Sequence, residues 1–156
     1  MSLTPTVPHH SAPATALLAL MAELEAAPAT ELNRRATAVL HELTDAELVV
    51  VLAAGEVVAA SGGNVSPPLG HDLHDAAEQG RARVTLPGGE ATLAAARLHG
   101  PAGWLLLARS PVTPAADLPE LVTGAAKLLD LHHRLALAAE AEAAQHRRGE
   151  REMGDR

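Results

Sequence analysis

The sequence predicts an α+β domain: a five-stranded antiparallel sheet with N- and C-terminal helices packed on one face. Three observations carry that prediction. Five short apolar segments are joined mostly by tight turns, which leaves no room for the helical crossovers that parallel strands need. Leucines at helical spacing precede the first segment and follow the last. There is no internal repeat at periods of roughly 20–50 residues and no alternation of strand and helix, which excludes solenoid and dinucleotide-binding folds.

Residues 1–13 hold Pro5, Pro8 and Pro13 with His9 and His10 and no apolar period, and read as an unstructured lead-in. The domain proper is expected over 14–140, with 141–156 a helical extension or frayed tail. Leu17, Leu20, Met21 and Leu24 form a first helix that Pro28 ends. Thr30 is the expected cap of a second, whose stripe is Leu32, Ala36, Val39, Leu40 and Leu43. Glu47 to Ala53 and Glu56 to Ala60 read as a hairpin turning at Ala54-Gly55. Residues 61–70 carry loop residues, and His71 to Gln79 supply one or two helical turns before Gly80. Strands over Ala82 to Leu86 and Ala91 to Leu98 flank Pro87-Gly88-Gly89, and Trp104 to Arg109 is a strand apolar enough to be covered on both faces. The closing helix carries Leu118, Leu121, Val122, Ala125, Leu128, Leu129, His132 and Leu135, a stripe too long for one small domain. Beyond Gly149 the glycines at 149 and 154, each costing about 1 kcal/mol in a helix, favour fraying.

Composition narrows the function. One Trp and no Phe or Tyr leave a core of Leu, Val and Ala, and no platform for stacking bases or sugars. A net charge of −7 repels polyphosphate backbones, so no nucleic acid is expected as a partner. Zero cysteine excludes disulfides, thiolate nucleophiles and cysteine-held metal centres. No apolar run reaches the roughly 20 residues that span a bilayer, and Met1 to Pro5 does not open a signal peptide, so no membrane is expected and the cytoplasm is the default location. Lys127 is the single lysine and isoleucine is absent, the mark of a GC-rich, bacterial genome.

The element order, and Thr113-Pro-Ala-Ala-Asp-Leu-Pro-Glu-Leu-Val-Thr-Gly-Ala-Ala-Lys-Leu-Leu-Asp-Leu131 after an apolar strand, resemble the end of a GAF domain. The resemblance spans roughly residues 15–140. It implies a GAF/PAS-like fold and a regulatory module that binds a small molecule or is purely structural, of the kind found in histidine kinases, cyclic-dinucleotide enzymes, phosphatases and PucR-type transcription regulators. It also implies that Thr113 and Pro114 open a terminal helix that dimerises or passes signals onward, with Asp117 to Glu120 an alternative capping box. Pigment attachment and methionine-sulfoxide reduction need cysteines this chain lacks, and the cyclic-nucleotide signature needs a Phe it also lacks.

The candidate ligand pocket is the segment Ser61 to Gly80, with Ser61, Asn64, His71 and His74 as candidate contacts. In His71-Asp72-Leu73-His74-Asp75, the residues His71, His74 and Asp75 would share one helix face at metal-ligand spacing, although a capped polar surface turn is the commoner origin of such a pattern. Ser61 and Ser66 have no nucleophile context, and Gly62-Gly63 and Gly88-Gly89 lack the spacing of phosphate loops, so no catalytic residue, metal or cofactor is assigned. Leu121, Leu128, His132 and Leu135 are the expected dimer residues, and protonation of His132 on that stripe would weaken a helix pair. The sequence thus reads as a non-catalytic sensory domain, a homodimer that signals through its last helix, with a possible small-molecule effector. The alternatives are a ligand-free scaffold module and, third, a small metal-dependent enzyme built on His71.

Overall fold

A computed structural model describes residues 13–109 and 118–154. The chain runs α1 (Pro13–Ala26), a 3₁₀ turn (Ala29–Glu31), α2 (Leu32–Thr44), β1 (Leu48–Ala53), β2 (Glu56–Ser61), α3 (Pro67–Glu78), β3 (Arg83–Leu86), β4 (Gly89–Arg97), β5 (Trp104–Arg109) and α4 (Leu118–Gly154). The five strands form one sheet in the order β2-β1-β5-β4-β3, every pair antiparallel.

The last strand in sequence lies at the centre of the sheet, which is why it reads as an unbroken apolar run. Leu105 and Leu107 point into one core with Val49, Val51, Ala94, Ala96 and the inner faces of α1, α2 and α4. Leu106 and Ala108 point into a second core with Val50, Leu52, Leu93 and the α3 residues Leu73, Ala76 and Ala77. Both faces of β1 and β5 are therefore covered, and neither strand can afford a polar residue at its middle positions. The helices of the two chain ends share one face, as expected, and α3 supplies a third layer on the other.

Local chemistry fixes the borders. Ala54 and Gly55 both take positive φ, 53° and 78°, the two-residue turn that matches strand twist. Between Val51 and Leu52 the register slips, since Val51 faces Ala59 while Leu52 faces Val57. The extra residue, Val58, is 48% exposed on the outermost strand.

Three expectations need correction. Thr30 does not cap α2: it sits within the 3₁₀ turn, and the residue before α2, Glu31, makes no capping bond. The helix expected from His71 begins at Pro67, because the Ser66 hydroxyl accepts from the Leu69 N–H at 3.3 Å and proline opens the first turn. The residues taken as loop punctuation are thus a helix start. The closing helix also passes Gly149 unbroken to Gly154. Residues 1–12, with Thr113, Pro114 and Asp117, lie outside the described residues.

Helix α4 crosses the sheet along β4. At its far end the Asp130 carboxylate accepts the His99 backbone N–H at 3.0 Å, and His133 Nε2 lies 2.7 Å from Asn33 Oδ1 at the start of α2. Burial pushes the His133 imidazole below its ordinary pKa, with Asp130 opposing. After Ala136, the last residue packed on the core, α4 leaves the body.

Candidate functional site

A cleft of about 280 Å³ opens where the start of α3 meets β2, lined by Gly55, Glu56, Val57, Val65, Ser66, Pro67, Gly70 and His71. Gly70 makes the approach possible: a Cβ there would lie 3.1 Å from Val57 Cγ2, tighter than ordinary contact. One of the four expected pocket residues, His71, lines it. Ser61 faces the opposite side of the sheet, where its hydroxyl lies 3.1 Å from Thr37 Oγ1 on α2. Asn64 is exposed and does not line the cleft. His74 is one turn further along and turns to a different cluster. Ser66 is the cleft residue that the sequence reading passed over, and its signal was the serine-proline start of a helix.

That second cluster joins α3 to the sheet. Trp104 donates its indole N–H to Glu78 Oε1 at 2.9 Å, and Arg97 reaches Glu78 Oε2 at 3.3 Å while its guanidinium lies 4.7 Å from the indole centroid. The Trp104 hydrogen bond, helped by the Arg97 and His74 charges, lowers the Glu78 pKa. His74 Nε2 stands 3.5 Å from Glu78 Oε1 and His74 Nδ1 stands 3.8 Å from Asp75 Oδ1. His71, His74 and Asp75 therefore do not converge. Among the described residues no group of three or more His, Asp or Glu is placed to hold a metal ion.

An apolar concavity lies between α1 and α4. About 740 Å³ of open groove is lined by Leu17, Leu18, Met21, Leu128 and Leu131, with Lys127 and Arg134 among the polar margin. Gly124 lets the helices come together, since a Cβ there would lie 2.6 Å from Leu17 Cδ1. Leu18 is 63% exposed, Leu131 43%, Leu135 56% and Leu137 65%. Of the expected dimer residues, Leu121 is 5% exposed and belongs to its own subunit's core, so it is not available to a partner. Leu128 and His132 are half-buried and Leu135 is open. Leu18, Met21 and Leu131 were missed, because the period of one helix cannot show that two helices offer a joint face.

No helix among the described residues is long and apolar enough to cross a membrane. No protein-family model matches the sequence, and no curated protein matches it. Solved structures do. The chain is similar to the GAF domain of a protein described as a sensor histidine kinase from Pseudomonas syringae pv. tomato, at TM-score 0.54 and 19% identity over 85% of this chain and 92% of that one. It is also similar to the GAF domain of an Acinetobacter phosphoenolpyruvate-protein phosphotransferase, at TM-score 0.57 and 12% identity over 80% of this chain and 94% of that one.

Proposed function

We propose that this chain, which has the fold of a GAF domain, is a non-catalytic sensory or regulatory module that pairs with a second copy through α1 and α4 and signals along α4. The observation that carries the reading is the leucine face. Leu18 on α1 and Leu131 on α4 stand open side by side, and Leu135 and Leu137 continue the exposure onto the part of α4 that leaves the body. Exposed leucines concentrated on two adjoining helices mark an interaction surface, and a self-complementary patch repeated on two copies closes a two-fold dimer. Past Ala136 the helix extends for roughly 27 Å, at about 1.5 Å per residue, which is ample for a paired connector.

Signalling in this arrangement means that an effector binds one packing of the paired helices better than another, and it transmits no more than that difference in affinity. The effector's place is the cleft between β2 and the start of α3. Sedimentation of the full chain at high micromolar concentration tests the pairing. A dimer is expected, and Leu18→Glu combined with Leu131→Glu should give a monomer with unchanged far-UV circular dichroism. A wild-type monomer overturns the reading.

The size of the cleft favours one second reading. At about 280 Å³ it lies just under the roughly 300–1,000 Å³ of ordinary ligand pockets, which suits a scaffold that pairs without an effector. A thermal-shift screen against metabolites separates the two, since ligand binding raises the unfolding midpoint and a scaffold shows no response.

A further inference from the structure

β3 is the last strand of the sheet, so one of its sides has no neighbouring strand. Which backbone groups lie on that side follows from the register. The Leu93 N–H donates to the Ala82 carbonyl at 2.8 Å, one step beyond the Arg83–Thr92 pair, and hydrogen-bonded pairs recur at every second residue of an antiparallel ladder. Val84 opposite Ala91 and Leu86 opposite Gly89 therefore spend their N–H and C=O groups on β4. Arg83 and Thr85 turn theirs outward, and no described residue takes them up.

That edge borders a cleft of about 320 Å³, lined by Asp72, Arg81, Arg83, Val84, Thr85 and Glu90. Asp72 comes from α3, and Arg81 from the turn that follows it. Arg83 and Glu90 answer one another at 3.2 Å. Asp72 and Arg81 line the same space, yet neither side chain makes an ion pair or hydrogen bond with a described residue. The cleft thus holds one unspent carboxylate, one unspent guanidinium and free peptide groups, and its four charges sum to zero.

We propose that this cleft at the β3 edge is a seat for a free α-amino acid. The Arg81 guanidinium fork takes the carboxylate, together with an outward N–H of Arg83 or Thr85, and Asp72 takes the ammonium together with an outward carbonyl. The match is double. A free amino acid offers a strand edge the same acceptor and donor that a residue of a neighbouring strand would, and its two charges are opposite in sign to the two left unspent. A simple anion answers Arg81 alone, and a simple cation answers Asp72 alone. Val84, half-buried, gives a short side chain an apolar contact, and the volume is within the roughly 300–1,000 Å³ of ordinary ligand pockets. The seat lies at the opposite edge of the sheet from the β2–α3 cleft and does not depend on the pairing of α1 and α4.

The test titrates the full chain with L-alanine and follows its backbone amide resonances by heteronuclear NMR. Saturable shifts are expected at Arg81, Arg83 and Thr85, with a Kd of about 1 mM. Sodium acetate, methylammonium chloride and N-acetyl-alanine amide, which lack one charge or both, should bind at least about tenfold more weakly. Asp72→Asn and Arg81→Gln should each weaken alanine binding by a similar factor with an unchanged circular dichroism spectrum, since both side chains are exposed. Absence of saturation in wild type overturns the proposal, and so does undiminished affinity in either variant. If the acetylated amide binds as tightly as alanine, the edge takes a peptide strand instead. If the shifts are confined to Val57, Val65 and Gly70, the ligand belongs to the β2–α3 cleft. Either result also overturns the seat. Should a variant lose its fold, the wild-type comparison of alanine with the three analogues decides.

Discussion

Glu78 shows how one side chain can join layers that apolar packing alone would leave loosely coupled. Its two oxygens receive the Trp104 indole and the Arg97 guanidinium, so α3, β4 and β5 meet at a single carboxylate. Its native pKa is below that of the unfolded chain, chiefly through the Trp104 hydrogen bond. The stabilisation is therefore complete above the ordinary glutamate pKa and is lost as pH falls through the native value. Acid titration of Trp104 emission should show a step in this range, and Glu78→Gln should remove the step and shift the neutral-pH emission. An unchanged titration in Glu78→Gln would show that the indole reports on something else. None of this cluster was legible in the sequence, because Glu78, Arg97 and Trp104 come together only through the β4–β5 register. His71 was legible as a cleft residue because it is close in sequence to the segment that forms the cleft. Ser61, a candidate contact by its place in the same segment, bonds to Thr37 on the other side of the sheet, a matter of its parity along β2 that the segment alone does not reveal.

At the scale of elements, the helix periods and the strand lengths were readable because each is a local pattern, and the sheet borders follow the turns at Ala54-Gly55 and Pro87-Gly88. The start of α3 was not, since a serine followed by two prolines serves a loop and a helix cap equally well until the next turn packs. Gly62 is where an element border is most constrained. It has φ +97°, and a Cβ added there would lie 2.2 Å from the Glu47 backbone oxygen, an atom that cannot swing aside. Gly62→Ala should cost about 2–4 kcal/mol, measured by urea unfolding. The same change at Gly80, where φ is +68° but nothing lies within 4 Å, should cost about 1 kcal/mol. Equal costs at the two sites would mean that backbone strain, not the close approach to Glu47, dominates.

For the whole molecule, α4 divides at Ala136 into a part that completes the core and a part with no buried residue among those described. A chain ending at Ala139 should keep the strand and helix signature of the body in circular dichroism, and lose pairing strength in sedimentation. Loss of the fold on truncation would show that the outer helix is structural. The layering was legible from sequence except for α3 as a third layer, because the sequence showed which segments are apolar on both sides but not what covers each. The order of the sheet has a consequence for biosynthesis. β1 is made early, yet its inner edge pairs with β5, with Leu48 opposite Ala108. While the chain emerges from the ribosome, the β1–β2 hairpin must wait with a bare row of amides and carbonyls until the final strand arrives. Closure of that gap is the non-local step, and it should set the pace at which the nascent domain becomes resistant to proteases.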